Sequence, residues 1–160
     1  IAWIEGAITG AGISLAMSCD FQIISECSKC AFSFVNIGFV PDSGATYLVT
    51  RAVGTVRAKD LFMSGRFFSG REAAGWGIFT EAVPAEQLEE RVGEYICKYI
   101  NGPSVSYAGI KTMINRAQFA AYAEGIQAEV DAQGECELTE DYVEAVTAFL
   151  EKRKPKFQGK

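Results

Sequence analysis

The sequence predicts an α/β chain, with a strand-and-helix front and an all-helical back. Three observations carry this. Short apolar runs at 1–4, 21–24 and 31–35 sit in the front half, each ended by glycine or polar turn residues. Glycine punctuates the same half closely, as tight strand-to-helix connections require. From Ala85 onward, apolar residues recur at helical spacing instead, interrupted at Asn101, Gly102 and Pro103. The expected division is therefore a core region, 1–103, and a helical region, 104–160.

The elements follow in order. Residues 1–4 are apolar with little alternation, as in a strand covered on both faces. Gly6, Gly10 and Gly12 break that pattern, and 13–18 fit one to two buried helical turns. A second strand is expected at 21–24, a polar turn at 25–29 and a third strand at 31–35. Gly38 and Pro41 make 36–43 a loop. Residues 44–53 read as a helix with Asp42 or Ser43 as cap, ended by Gly54. Another helix, 56–63, closes at Gly65. Residues 66–68 are extended, and Ser69 with Glu72 spells a capping box for a helix at 69–75. Gly77 opens a strand at 78–83, which Pro84 ends. Leu88, Val92, Tyr95, Ile96 and Tyr99 line one side of a helix at 87–100. A longer helix at 104–121 is continued or followed by 122–134. Thr139 caps the last helix, 141–153, with Tyr142, Val146, Phe149 and Leu150 on one side. The tail, 152–160, is basic.

Composition narrows the function. The 160 residues are 49% hydrophobic and 22% charged, ordinary for a globular protein with a real core. A net charge of −5 argues against a nucleic-acid partner. No apolar run is long enough to span a bilayer, and the first residues lack a charged n-region. No membrane partner and a cytoplasmic location are expected. The chain has no histidine, which excludes Ser-His-Asp and Cys-His machinery and histidine-ligated metals within it. Proton transfer must use carboxylate, Cys, Lys, Tyr or water. Cys27 and Cys30 have CxxC spacing, but no second pair accompanies them, and the odd total of five argues against a disulfide framework. No metal is expected.

The opening unit offers one chemical feature. The first amides of a helix have no partner within it, and the helix dipole is positive there. Negative charge developing on a carbonyl oxygen could rest on the amide of Ala11 or Gly12. On spacing alone, a tight turn that binds nothing is the simpler reading. Pro41-Asp42-Ser43-Gly44 is likewise ordinary turn chemistry on its own.

Taken together, four motifs change the weighing. They are a strand followed by ExxxxGAG, a helix and CD; IGFVPDSGATY with RAVG; SGRFFSGREAAGWG; and a terminal AFLEKRKPKFQG. In this order and spacing they resemble the enoyl-CoA hydratase/isomerase, or crotonase, superfamily. The resemblance covers nearly all of the chain and corresponds to the C-terminal three-fifths of a usual member. It implies the second half of a spiral of ββα turns, followed by a helical trimerisation region. It implies an acyl-CoA thioester as substrate, with coenzyme A entering only as part of that substrate, and a homotrimer or hexamer. The Ala11 amide, flanked by Gly10 and Gly12, corresponds to one of two oxyanion donors. The other lies in a segment outside these residues.

The resemblance also bears on the reaction. Familiar hydratases use two carboxylates, at positions that map to Ser14 and Phe34, and neither residue can ionise near neutral pH. Asp42 instead occupies the place where an isomerase-like branch carries its single acid. A carboxylate set among Phe34, Phe39, Val40 and an acyl chain, next to Pro41, loses water, which favours its protonated form and suits proton transfer. Glu5 and Asp20 are expected to make structural contacts, Asp20 with nearby backbone. Phe149 and Lys152 correspond to residues that reach a neighbouring subunit's CoA, aided by Arg153, Lys154 and Lys156. A double-bond isomerase is the favoured expectation. A hydratase with unusual residues, and an inactive acyl-CoA-binding or structural fragment, are the alternatives.

Overall fold

The computed structural model describes residues 1–160. Six short strands form two three-stranded sheets. Strands β1 (Ala2–Ile4), β3 (Gln22–Ser25) and β6 (Glu81–Val83) form a parallel sheet in the order β1-β3-β6. Strands β2 (Ala7–Thr9), β4 (Lys29–Ala31) and β5 (Phe67–Ser69) form the second, where β2 runs parallel to β4 and β5 antiparallel to it. Helices α1 (Ala11–Met17), α2 (Ala45–Ser64) and α3 (Gly70–Gly75) alternate with these strands, and α4 (Leu88–Ile100), α5 (Ser104–Gln118), α6 (Tyr122–Glu137) and α7 (Glu140–Leu150) follow them. The architecture is the second half of a crotonase-like ββα spiral followed by C-terminal helices.

The core lies where the sheets meet α1, α2 and α3. Ile4, Ile13, Ile24, Cys30, Phe32, Val49, Leu61 and Phe68 form one buried cluster with their neighbours. Burial of Cys30 pushes its thiol up to about 12, with Glu72 adding to the effect, so it serves as a small apolar residue. A smaller cluster of Ile23, Val83, Leu88 and Val92 fixes α4 against the first sheet. The capping box at Ser69 and Glu72 is present, and the Thr139 hydroxyl accepts from the Tyr142 amide to start α7.

Several expectations are corrected. The first strand is not covered on both faces: Trp3 is 50% exposed, whereas Ile4 on the opposite face is buried. The glycine-flanked residues 7–9, read as part of a turn, form a strand that pairs with β4. The third strand ends at Ala31 rather than Val35. Its antiparallel partner runs out at the Ala31–Phe67 pair, and the chain turns into a 3-10 segment, Ser33–Ile37. Ile78 and Phe79 are buried but unpaired, and only Glu81–Val83 joins a sheet. Gly54 does break the long helical run, at φ 76°. On α7 the buried residues are Ala145 and Ala148, whereas Phe149 and Leu150 are exposed.

Candidate active site

Two turns build the site. The first joins β2 to α1. Gly10 has φ 53° and ψ −128°, which glycine alone adopts without strain, and a Cβ there would lie 3.3 Å from the Phe34 ring. Phe34 therefore packs over the turn. No side chain caps α1, and Ala11 at its start is exposed while Gly12 is half-buried. This helix end carries partial positive charge where a carbonyl oxygen gaining charge could rest. One turn on, Ser14 is buried and its hydroxyl has no hydrogen-bond partner.

The second turn leads into α2. Ser43 has φ 59° and Gly44 φ 80°, two successive residues in the left-handed region. For serine that conformation must be maintained by its surroundings. Glu129, on α6 and only 5% exposed, does so. Its Oε2 accepts from the Gly44 amide at 2.6 Å, and its Oε1 accepts from the Thr46 amide at 2.8 Å and from the Thr46 hydroxyl. A carboxylate from a distant helix thus caps α2, where charge-assisted bonds and the helix dipole act together. On the other side, a Cβ on Gly44 would lie 2.2 Å from the Tyr122 hydroxyl oxygen, so no larger residue fits. The cap expected from Asp42 or Ser43 is not made, because Glu129 occupies those donors.

Asp42 is consequently available for other contacts. It is half-buried; its Oδ1 accepts from the Ser43 hydroxyl at 2.8 Å and its Oδ2 from the Gln133 amide nitrogen at 3.2 Å. Gln133 lies one helical turn after Glu129, so α6 grips this loop at two points. The two turns face one cleft of about 350 Å³, lined by Ala11, Gly12, Leu15, Ser18 and Ser43. The start of α1 and the Asp42 turn are thereby brought together, with Phe34 and Ser14 beside them.

Other candidates lie elsewhere. Pro41 is half-buried in the Asp42 loop. Phe39 stacks on Tyr142, ring centroids 4.6 Å apart and planes 9° off parallel, so its ring is committed to α7. Glu5 is exposed, in place of the structural contact expected of it. Asp20 pairs with Lys111 at 2.7 Å rather than with nearby backbone. Phe149 is 73% exposed, and Lys152 is exposed with φ 55°. The basic tail is partly neutralised, since Arg153 pairs with Glu144 and Glu151.

Glu129 and Gln133 were not singled out from the sequence. The only available signal was their spacing of one helical turn, which Glu124, Asp131 and Glu135 on the same helix obscure.

A family model described as enoyl-CoA hydratase/isomerase matches residues 1–160. The trans-2-decenoyl-[acyl-carrier-protein] isomerase of Streptococcus mutans is 36% identical over 156 residues, 98% of this chain and 59% of that protein. A probable enoyl-CoA hydratase of Rhodobacter capsulatus is 32% identical over 160 residues, 100% of this chain and 62% of that protein. Among solved structures, an enoyl-CoA hydratase from Mycobacterium avium subsp. paratuberculosis superposes with a TM-score of 0.91 at 35% identity, covering 96% of this chain and 63% of that one. The fold is the crotonase-like one of that solved structure. The chain belongs to the enoyl-CoA hydratase/isomerase family. It spans about three-fifths of the length of the relatives it matches.

Proposed function

We propose that this chain carries the acid/base half of an enoyl-CoA double-bond isomerase. The supporting observation is that the α1 amide end and the Asp42 turn border one cleft, with Ser43 in its wall. The thioester oxygen of a 3-enoyl-CoA would rest on the Ala11 amide, flanked by Gly10 and Gly12. Asp42 would remove a proton from the α-carbon, leaving a dienolate whose charge the amide end holds. The same carboxyl would return that proton to the γ-carbon, giving the 2-enoyl-CoA. One carboxyl group completes the cycle, and no water is consumed. Ser14 and Phe34 would shape the acyl site, with Phe39 and Pro41 supporting the loop behind Asp42.

Hydration asks for more than these residues offer. The positions corresponding to the two hydratase carboxylates hold a serine hydroxyl and a phenyl ring, so no pair of acids flanks the cleft. Phe149 and the unpaired Lys152 would meet the CoA of a neighbouring copy, and 104–160 would be the assembly region of a homotrimer or hexamer. Several apolar side chains of α5, among them Val105, Met113 and Ile114, are exposed, as a surface awaiting a neighbour would be.

The Asp42→Asn variant tests the assignment. Isomerisation of a 3-enoyl-CoA is expected to fall at least ~100-fold, the usual contribution of a positioned acid/base. Binding of a saturated acyl-CoA, measured by calorimetry, is expected to persist. Turnover near the native rate would overturn the role of Asp42.

A further inference from the structure

Asp42 has two hydrogen-bond partners, and only one comes from outside its own loop. Gln133 donates its Nε2 to Asp42 Oδ2 at 3.2 Å, while the Gln133 Oε1 is buried and has no partner. A buried amide oxygen with nothing to accept is uncommon, because it forfeits a hydrogen bond that water would supply. Its position beside a carboxylate gives it a use. A charged carboxylate needs a donor, whereas a protonated one needs an acceptor. A primary amide supplies both, exchanged by a half-turn of its terminal torsion.

We propose that Gln133 is a positioning residue for Asp42, aiming its carboxyl group and keeping a hydrogen bond to it in both protonation states. The proposal rests on the reading of Asp42 as the proton carrier and adds how that carrier is steered. Glu129, one turn earlier, fixes the backbone of the loop through Gly44 and Thr46, and Gln133 fixes the side chain. The bond to the charged form is the stronger, since charge-assisted bonds are about twice as strong as neutral ones.

The other titratable groups facing the turn are few. Glu129 and Tyr122 come from α6. Asp141 and Tyr142 come from the start of α7, where they meet Gly38 and Phe39. Helix α1 contributes none, and no lysine or arginine pairs with Asp42. Gln133 is thus the one side chain from outside the loop that donates to the Asp42 carboxylate.

The test compares Gln133→Met, which keeps the length and removes both polar atoms, with the native full-length protein. The pH profile of kcat for 3-enoyl-CoA isomerisation and a carbon-NMR titration of the Asp42 carboxyl are both recorded. The acid limb and the NMR midpoint are expected to move up together by about one pH unit, the difference between charged and neutral hydrogen bonds. A limb and midpoint that stay in place overturn the proposal, even if kcat falls uniformly, because a purely structural role would do that. Gln133→Asn, too short to reach, is expected to give the same shift and serves if the methionine variant does not fold. Retained turnover in Asp42→Asn would overturn the Asp42 reading instead, and the NMR midpoint would still decide whether Gln133 steers that carboxyl.

Discussion

At Glu129, one buried carboxylate accepts three hydrogen bonds from the first turn of α2. Glu129→Ala would strand the Gly44 and Thr46 amides and is expected to cost about 3 kcal/mol. Glu129→Gln keeps one acceptor and should cost about 1–2 kcal/mol. Denaturant unfolding followed by circular dichroism measures both, and an alanine variant as stable as the native chain would remove Glu129 from this role. The sequence carried no trace of the contact. Residues 44 and 129 are 85 apart, and Glu129 looks like any solvated acid on a helix. The proposed roles of Ala11 and Asp42 come only from the motifs around them, since the local chemistry of each is that of an ordinary turn. The cap predicted for Asp42 or Ser43 failed because a distant carboxylate outcompeted local side chains for the same donors.

Among the elements, the long periodic segments were legible, as were β1, β3, β5 and β6 in outline, whereas β2 and β4 were not. The helices at α4 and α7 follow from periodicity and from the Thr139 cap, and Gly54 marks the break in α2. A three-residue strand without an apolar run of its own carries too little pattern to locate. The β2 strand lies between two glycines, and β4 ends where its partner ends. Helix α7 also holds the tail. The Glu144 carboxylate accepts from Arg153 and from the Lys156 amide, and Asp141 accepts from the Gln158 and Gly159 amides. The Arg153 bond, then the Lys156 amide, hold the Glu144 carboxyl down at about 2. A lowered value means that its contribution is complete above the ordinary glutamate value of about 4.3 and is lost as pH falls toward about 2. The tail is therefore expected to loosen between these limits. Amide NMR signals of Lys156 to Lys160 should sharpen there, and Glu144→Gln should loosen the tail at neutral pH. Signals unchanged down to pH ~2 would show that the tail is held by other means.

For the whole molecule, the α/β front and helical back were readable from composition and spacing alone. The spiral was readable only from the order of its motifs, because no single strand announces which sheet it joins. Val105, Met113 and Ile114 on α5, and Val143, Phe149 and Leu150 on α7, are apolar side chains left exposed within the chain. That is the state in which the proposed assembly, and the proposed CoA contact at Phe149 and Lys152, would leave them. The proposed reaction would have one acid serve two carbons beside a cleft lined by the start of α1 and by Ser43.

The most direct measurement is product analysis with a 3-enoyl-CoA in heavy, oxygen-labelled water. Isomerisation by Asp42 predicts a 2-enoyl-CoA with no labelled oxygen, its γ-carbon receiving the proton taken from the α-carbon. A 3-hydroxyacyl-CoA bearing labelled oxygen as the principal product would contradict the single-carboxylate account.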